Sequence, residues 1–240
     1  MNDTLRRALA DARLDEITVS TALSVDPKTV QRWIAGRVPQ RRHRWGLADL
    51  VGQHERDLWP DLTRSGPAAR CAEIRASYPY RSGVPHEVWY QLLTGARREI
   101  GVLAYSGLFL AEDVQLLRAV ATQAQAGVRV RLLLGDPDSP AVAGRGVEEG
   151  IGEAMPAKIR NALVHYRPLA RDGAEIRLHE TVLYNSLYRA DDELLVNIHI
   201  YGIPAGHAPV LHLDAGADGD LVTTYLDSFD RIWDAATPLT

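Results

Sequence analysis

The sequence has 240 residues, 46% of them hydrophobic and 24% charged, and a formal net charge of −4. Such a chain is globular and long enough for two domains, so a disordered protein and a uniformly basic nucleic-acid coat are excluded. A single cysteine, Cys71, excludes an internal disulfide framework and a cysteine-based zinc cage. No apolar run is long enough to span a membrane, and residues 1–7 lack the apolar core of a secretory signal, so we expect a cytoplasmic protein.

The chain divides near residues 63–70, T-R-S-G-P-A-A-R, where Gly66-Pro67 interrupts the periodicity of the apolar residues. Before this stretch the apolar positions recur at helical spacing, and after it predicted strands and helices alternate. We therefore predict an α-helical domain over residues 1–64, a linker over 65–77 and an α/β domain over 78–240.

The first domain is predicted to contain four or five short helices. Asp3 or Thr4 is the expected N-cap of the first helix, because a short polar side chain there accepts hydrogen bonds from free N–H groups. Asp26 is the expected N-cap of the third, with Pro27 as its first residue and Gly36 after its end. The predicted helices cover residues 3–12, 18–23, 27–35 and 41–53.

Residues 19–33, V-S-T-A-L-S-V-D-P-K-T-V-Q-R-W, have the helix, short turn and helix spacing of a helix-turn-helix unit. Ser24 stands in the turn, where glycine is common. This stretch, with G-R-V-P-Q-R-R-H-R and L-W-P further on, resembles the Xre-like regulators of actinobacteria. The resemblance covers about the first 60 residues and implies a bacterial DNA-binding domain. The side chains expected between its two helices are Val19, Leu23, Val25, Val30 and Trp33.

Between Lys28 and Ala48 the chain carries six basic residues and no acidic one. This pattern indicates either a DNA-binding face at one end of the protein or the solvated rim of a helical bundle. Helical spacing places Lys28, Gln31 and Arg32 on the outer face of the third helix, where they could reach base edges in a major groove. The side chains expected to contact phosphates are Thr29, Arg37, Arg41, Arg42 and Arg44.

After a first helix, the second domain continues with a strand, helix and strand that predict a right-handed βαβ unit and hence a parallel pair of strands. A Gly-rich stretch, residues 143–152, is expected to be a loop or a mobile lid. The predicted helices are 85–96, 111–127, 146–166 and 220–235, and the predicted strands are 98–106, 128–137, 175–181, 183–189, 193–201 and 209–213.

The order of these elements resembles one half of a phospholipase D-like domain over residues 85–235. Active members carry His-x-Lys-x4-Asp, in which the His attacks a phosphodiester and the Lys binds the phosphate. Here Asn185, Leu187 and Asp192 fall at those positions, and no His-x-Lys occurs in the chain. Asn cannot form the covalent intermediate and Leu cannot neutralise a phosphate. The resemblance therefore implies a protein that is not an enzyme, and a half-domain that forms a homodimer.

Polar residues near the strand ends predict a ligand site, because α/β sheets bind ligands there. The alternation Asn197-x-His199-x-Tyr201 predicts three side chains on one face of a strand, although a lone strand histidine is more often structural. We predict no cofactor and no metal site. The candidate ligand-binding residues are Tyr105, Ser106, His179, Tyr184, Asn185, Asn197, His199 and Tyr201.

The sequence thus favours a DNA-binding transcription regulator whose second domain binds an unknown small-molecule effector and forms a homodimer on double-stranded operator DNA. One alternative is an active phosphodiesterase or nuclease, with His179 or His199 as nucleophile. Another is a regulator whose second domain only dimerises.

Overall fold

The computed structural model describes residues 1–60, 72–216 and 219–239. The chain forms two compact units, Met1–Arg70 and Cys71–Thr240, which we call unit 1 and unit 2. Among the described residues no helix has both the length and the apolar character needed to cross a membrane.

Unit 1 is formed by short helices with polar N-caps. Asn2, rather than the predicted Asp3 or Thr4, caps the first helix by accepting a hydrogen bond from the Leu5 N–H. Asp15 caps the second, which therefore begins two residues earlier than predicted, and Asp26 caps the third as predicted. The helices are α1 (Asp3–Asp11), α2 (Glu16–Ala22), α3 (Pro27–Ile34), α4 (Arg41–Val51) and α5 (Glu55–Leu58).

The core of unit 1 lies between these helices and includes the predicted contact between α2 and α3. Val19, Val30 and Trp33 are buried, and Leu23 and Val25 pack against them. The turn between the two helices contains Ser24 with φ +52°. A left-handed backbone at this position explains why glycine is common in such a turn.

Unit 2 contains one mixed eight-stranded sheet in the order β1-β7-β6-β5-β2-β3-β4-β8. Strands β2, β3 and β4 are parallel, as the predicted βαβ unit requires, and the other pairs are antiparallel. The strands are β1 (Ile74–Tyr78), β2 (Glu99–Ala104), β3 (Arg129–Gly135), β4 (Glu175–His179), β5 (Asn185–Ala190), β6 (Glu193–Ile198), β7 (Val210–Asp214) and β8 (Thr237–Pro238).

Helices pack against this sheet, and the largest buried apolar cluster lies between them and the central strands. The last helix has the predicted bounds, whereas the predicted helix 111–127 is two helices, because Asp113 accepts hydrogen bonds from Gln115 and Leu116 and starts a new one. The helices are α6 (His86–Gly95), α7 (Leu108–Glu112), α8 (Val114–Gln125), α9 (Pro140–Glu148), α10 (Ala154–Tyr166) and α11 (Asp220–Ala235).

Two further predictions were wrong. Residues 74–77 were assigned to the linker, but they belong to β1, which pairs with β7 at the edge of the sheet; the other linker residues described, 72 and 73, form a turn, and 65–71 lie outside the described residues. An edge strand that is largely exposed has no apolar alternation to reveal it. The Gly-rich stretch 143–152 is largely helical, since it contains most of α9, which Ser139 caps.

Candidate functional site

A cavity of about 100 Å³ opens beside the central strands of unit 2. Its walls come from the ends of β2 and β5, from the turn at Arg81, from α10 and from the segment after β6. The lining residues are Arg81, Ala104, Tyr105, Ser106, Gly107, Glu149, Met155, Lys158, Ser186, Tyr188, His199, Pro204, Ala205 and Gly206.

Strand β5 contributes Ser186 and Tyr188 to this cavity, not Asn185 and Leu187. Side chains alternate between the two faces of a strand, so a shift of one residue exchanges the face. Asn185 pairs with Ile198 across the sheet and does not line the cavity. The residues that the motif alignment placed at the His and Lys positions are therefore on the other face of β5.

The acidic turn after β5 has a structural role. Asp191, with φ +55°, accepts hydrogen bonds from the backbone N–H groups of Arg97, Arg98 and Glu99 at 2.8–2.9 Å. These bonds hold the β5–β6 turn against the start of β2. Asp192, the predicted motif aspartate, instead forms an ion pair with Arg98 and is exposed.

Ser186 and His199 form a hydrogen-bonded pair on the cavity wall. Ser186 Oγ lies 3.0 Å from His199 Nε2, and His199 Nδ1 lies 3.1 Å from the carbonyl oxygen of Leu183. Burial lowers the pKa of His199 to about 4, and the nearby positive charges of Arg145 and Arg81 act in the same direction. The ring is neutral near pH 7, so Nδ1 donates to Leu183 and Nε2 accepts from the Ser186 hydroxyl.

Tyr188 places a phenol group on the same wall. Its side chain is only 1% exposed, and the Ser186 and Arg81 side chains lie near its hydroxyl without a well-formed hydrogen bond to it. Burial raises the Tyr188 pKa, while the nearby Arg81 and Ser186 side chains lower it. A buried hydroxyl without a well-formed hydrogen bond costs free energy, so this group needs an explanation in terms of function.

Arg81 is held in place on two sides. Its guanidinium lies 4.2 Å from the centroid of the Phe109 ring, and its Nη1 lies 3.5 Å from Asn197 Oδ1. Asn197 is fully buried and donates to the carbonyl oxygens of Ala208 and Pro209. Asn197 therefore positions Arg81 and does not line the cavity, contrary to the prediction that it contacts a ligand.

Glu149 and Lys158 bring further charges to the cavity. Glu149 is paired with Arg145, whose Nη2 is 2.7 Å from a Glu149 carboxylate oxygen and whose side chain is 4% exposed. Arg145 also donates to the carbonyl oxygen of Ile203 at 2.9 Å. Lys158 is exposed and, within the described part of the chain, has no carboxylate at ion-pair distance.

Besides His199, two predicted ligand residues line the cavity, and one of them has a clear structural contact. The Tyr105 hydroxyl accepts a hydrogen bond from the Leu183 N–H at 3.0 Å, and its ring stacks on His199 with centroids 5.8 Å apart. Ser106 follows β2 at the cavity wall. With His199, these residues are the part of the predicted set that the fold brings together.

The other predicted residues lie elsewhere. His179 is 2% exposed, with Nε2 3.2 Å from the Ala104 carbonyl oxygen and Nδ1 accepting from the Thr181 N–H, so its role is structural. Tyr184 and Tyr201 are 80% and 83% exposed. Strand β6 ends at Ile198, so the alternation from Asn197 does not continue to Tyr201.

Five polar or charged lining residues were not predicted from the sequence: Arg81, Glu149, Lys158, Ser186 and Tyr188. Ser186 and Tyr188 are two positions apart on β5 and share one face of the strand. This alternation could have indicated both, had it been known which face of β5 meets the cavity. Arg81 lies in a short 3-10 turn more than 100 positions from β5, and no local pattern marks it. Among the described residues, no three side chains of His, Cys, Asp or Glu are grouped as metal ligands would be.

The predicted DNA-binding residues of unit 1 fall into two groups. Lys28, Arg32, Arg37 and Arg42 are exposed, and Thr29 is partly buried. The other three have partners, as follows: Gln31 donates to Glu16 at 2.6 Å, Arg41 stacks on Trp45, and Arg44 bonds to Glu55 at 2.5 Å and to the Pro39 carbonyl oxygen at 2.9 Å.

Arg44 is therefore not available as the phosphate contact that the sequence predicted. Its side chain is 12% exposed, and its charge is balanced by Glu55, which also accepts a hydrogen bond from Trp45 Nε1. The pair joins α4 to the start of α5. Glu55 lies outside the basic stretch 28–48, which is why the spacing of the basic residues gave no sign of it.

No protein-family model and no curated protein matches the sequence. The solved structures to which the chain is weakly similar include three that each share 14% sequence identity with it. TrmBL2, an archaeal chromatin protein, has a TM-score of 0.46 over 88% of this chain and 69% of its own. Nuc, a phospholipase D family member from Salmonella typhimurium, has a TM-score of 0.43 over 68% of this chain and 95% of its own. Phosphatidylserine synthase from Haemophilus influenzae has a TM-score of 0.44 over 85% of this chain and 48% of its own. Similarities at this level do not assign a function to this mixed α/β protein.

Proposed function

We propose that this protein is a sequence-specific DNA-binding transcription regulator. In this proposal unit 1 is a helix-turn-helix domain, and unit 2 is a non-catalytic, phospholipase D-like sensor that binds a small molecule and forms a homodimer. The observation that carries the proposal is that α3 is amphipathic. Its inner face is buried in unit 1, and its outer face is basic and exposed.

The geometry of α3 suits a recognition helix. Val30 and Trp33 fix the helix in the core, and the short turn after α2 sets its direction. Lys28 and Arg32 are four residues apart, so they lie on one face, and both are exposed. The major groove of B-DNA admits one α-helix, and Arg or Lys there can donate two hydrogen bonds to guanine.

Arg37 and Arg42 support this assignment from outside the helix. Both are exposed, and neither has an acidic partner within the described part of the chain. Unpaired arginines beside a recognition helix supply the contacts to phosphates that hold a protein on the duplex without reading sequence. The free cations are thus Lys28, Arg32, Arg37 and Arg42, half of the eight residues predicted.

The homodimer is proposed because symmetric operators are read by proteins with two-fold symmetry. Unit 2 has a surface that a second copy could cover. It is formed by two neighbouring loops that carry exposed apolar side chains, and the His199 N–H joins the loops by donating to the Tyr184 carbonyl oxygen. Large exposed apolar patches mark interaction sites in soluble proteins. These side chains are Val182, Tyr184, Ile200, Tyr201 and Ile203.

The absence of catalysis is proposed from the state of His199, the cavity histidine. Nδ1 of this ring donates to the Leu183 carbonyl and Nε2 accepts from the Ser186 hydroxyl, so the Nε2 lone pair is not free to attack phosphorus as a nucleophile. His179 is buried with both nitrogens bonded to the backbone. A phosphodiesterase with either histidine as nucleophile, the alternative function, would have to break one of these arrangements.

The decisive experiment is selection of bound duplexes from a random DNA library by the full chain, followed by fluorescence anisotropy on the enriched sequence. We expect one enriched, two-fold symmetric sequence. Lys28→Ala and Arg32→Ala should each weaken binding to it at least tenfold, while Arg118→Ala, an exposed arginine on α8, should have little effect. Failure to enrich any sequence, or unchanged binding by both α3 variants, would refute the DNA-binding assignment.

The enzyme alternative is tested separately with bis-p-nitrophenyl phosphate and plasmid DNA as substrates. We expect no turnover above that of a buffer control. Turnover that disappears in His199→Ala, with the folded state intact by circular dichroism, would show instead that unit 2 is catalytic. Sedimentation velocity tests the homodimer: Tyr184→Asp and Tyr201→Asp should shift the protein towards the monomer.

A further inference from the structure

We propose that the unit 2 cavity binds a small monocarboxylate anion. This inference rests on the proposed function, because it names the class of molecule that the sensor unit binds. It is carried by three properties of the cavity: its volume, the balance of charges on its wall and the orientation of its hydrogen-bond donors.

The volume restricts the ligand to a few heavy atoms. The cavity volume is about 100 Å³. Sites for drug-sized ligands are about 300–1,000 Å³. A nucleotide or a phosphorylated sugar is therefore too large to enter as a whole, whereas a carboxylate with a short carbon chain fits.

The charges on the wall favour one negative charge. Glu149 is the acidic lining residue and is paired with Arg145 at 2.7 Å. Arg81 and Lys158 are lining cations without a carboxylate partner within the described residues, and Lys158 is exposed, so its charge is largely solvated. Arg81 is then the main uncompensated charge in the partly enclosed part of the site, and a monoanion neutralises it.

The donors converge in a way that suits a carboxylate. Arg81 presents a planar guanidinium fixed by the Phe109 ring and by Asn197, and such a fork matches the two oxygens of a carboxylate. The Tyr188 hydroxyl lies near the Arg81 and Ser186 side chains, and it forms no well-formed hydrogen bond in the described structure. A carboxylate offers acceptors only, so it can satisfy both donors together.

The rest of the wall favours a short apolar tail over a second polar group. The Ser186 hydroxyl already donates to His199, so it is not free to donate to a ligand. The lining also includes Ala104, Met155 and Pro204, whose side chains are apolar and donate no hydrogen bond. A two- or three-carbon acid would place its charge at Arg81 and its methyl group among these apolar side chains.

Met155 provides a direct probe of binding, because the chain has two methionines and only Met155 lines the cavity. The full chain is labelled with methyl-13C methionine and titrated with propionate, with propionamide as a neutral molecule of the same shape, and with inorganic phosphate. We expect propionate to shift the Met155 methyl resonance in a saturable manner and to leave that of Met1 in place. Propionamide and phosphate should bind at least tenfold more weakly.

Variants then test the donors. Arg81→Gln should weaken propionate binding at least tenfold, and Tyr188→Phe, which removes only the hydroxyl, at least threefold; Arg118→Gln, outside the cavity, should leave it unchanged. The carboxylate assignment would be overturned if phosphate or propionamide bound as tightly as propionate, or if Arg81→Gln bound propionate as tightly as the wild type. Either result would still leave unit 2 as a small-molecule sensor. If none of the three probes moves the Met155 resonance, the small-molecule sensor fails as well, whereas DNA binding is judged by its own assay.

Discussion

Ser186 Oγ and His199 Nε2 lie 3.0 Å apart, and this bond links strand β5 to the residue that follows β6. The orientation of the bond depends on the charge of the imidazole ring. Neutral His199 accepts the Ser186 proton at Nε2 and donates from Nδ1 to the Leu183 carbonyl. A protonated ring would have to donate to both partners and would therefore reverse the Ser186 hydroxyl.

The stability of the protein should fall as pH drops from 7 to 5. Because burial lowers the folded-state pKa of His199 from 6.5 to about 4, only the unfolded state takes up this proton in that range. The stabilisation of the folded state that comes from keeping His199 neutral is fully present above pH 6.5, and it is lost as the pH falls towards 4. For one group with these two pKa values the loss between pH 7 and 5 is about 2 kcal/mol. Buried His179, whose pKa is also lowered, adds to the same trend.

Urea unfolding of the wild type and His199→Gln at pH 7 and pH 5 measures this effect. Gln can keep one hydrogen bond of the ring but cannot titrate. The variant should therefore lose about 2 kcal/mol less than the wild type between the two pH values. An equal pH dependence in both proteins would show that His199 is not held neutral by the fold.

The substitutions Tyr188→Phe and Tyr166→Phe should have different effects on the free energy of unfolding. Both tyrosines are fully buried, but the Tyr166 hydroxyl donates to the Gly107 carbonyl oxygen at 2.8 Å while the Tyr188 hydroxyl forms no well-formed hydrogen bond among the described residues. Tyr166→Phe should lower the free energy of unfolding by about 1 kcal/mol, because a hydrogen bond is lost. Tyr188→Phe should leave it unchanged or raise it by up to about 1 kcal/mol. Thermal unfolding of both variants decides this, and a clear loss in Tyr188→Phe would contradict the absence of a well-formed hydrogen bond at this hydroxyl.

Two glycines of α9 should respond oppositely to alanine. A Cβ on Gly146 would lie 2.4 Å from the Gly152 carbonyl oxygen, whereas one on Gly144 meets no atom within 4 Å. Gly146→Ala should therefore destabilise unit 2 by about 1–3 kcal/mol through overpacking. Gly144→Ala should stabilise it by about 0.5–1 kcal/mol, because alanine favours a helix. Chemical denaturation compares the two, and similar effects at both sites would disprove this packing of α9 against the turn before α10.

Arg44→Ala and Arg42→Ala separate a structural arginine from a proposed DNA contact. Arg44 bonds to Glu55 and to the Pro39 carbonyl, so its loss should destabilise unit 1 by about 1–2 kcal/mol. Exposed Arg42 should be neutral for stability, but its loss should weaken DNA binding and reduce the salt dependence of affinity by about one phosphate contact. Denaturation and anisotropy at several salt concentrations are the two measurements. Loss of stability in Arg42→Ala with unchanged DNA affinity would reverse the two assignments.

The sequence alone determined the local features of this protein. Asp26 and Pro27 begin α3 and Val30 and Trp33 face inward, as helical spacing predicted, and α11 has the predicted bounds Asp220–Ala235. These features depend on residues within a few positions of one another. Caps and apolar periodicity are therefore visible in the chain before it folds.

The tertiary structure alone decided which side chains share the cavity. Arg81 meets Asn197 across 116 positions of sequence, and Arg44 is engaged by Glu55 on the next helix. The choice of Ser186 over Asn185 depends on which face of β5 packs on the helices, and the alternation along a strand is the same for either choice. Such contacts are set by how elements pack at long range, because one strand's pattern defines two faces but not which of them turns inward.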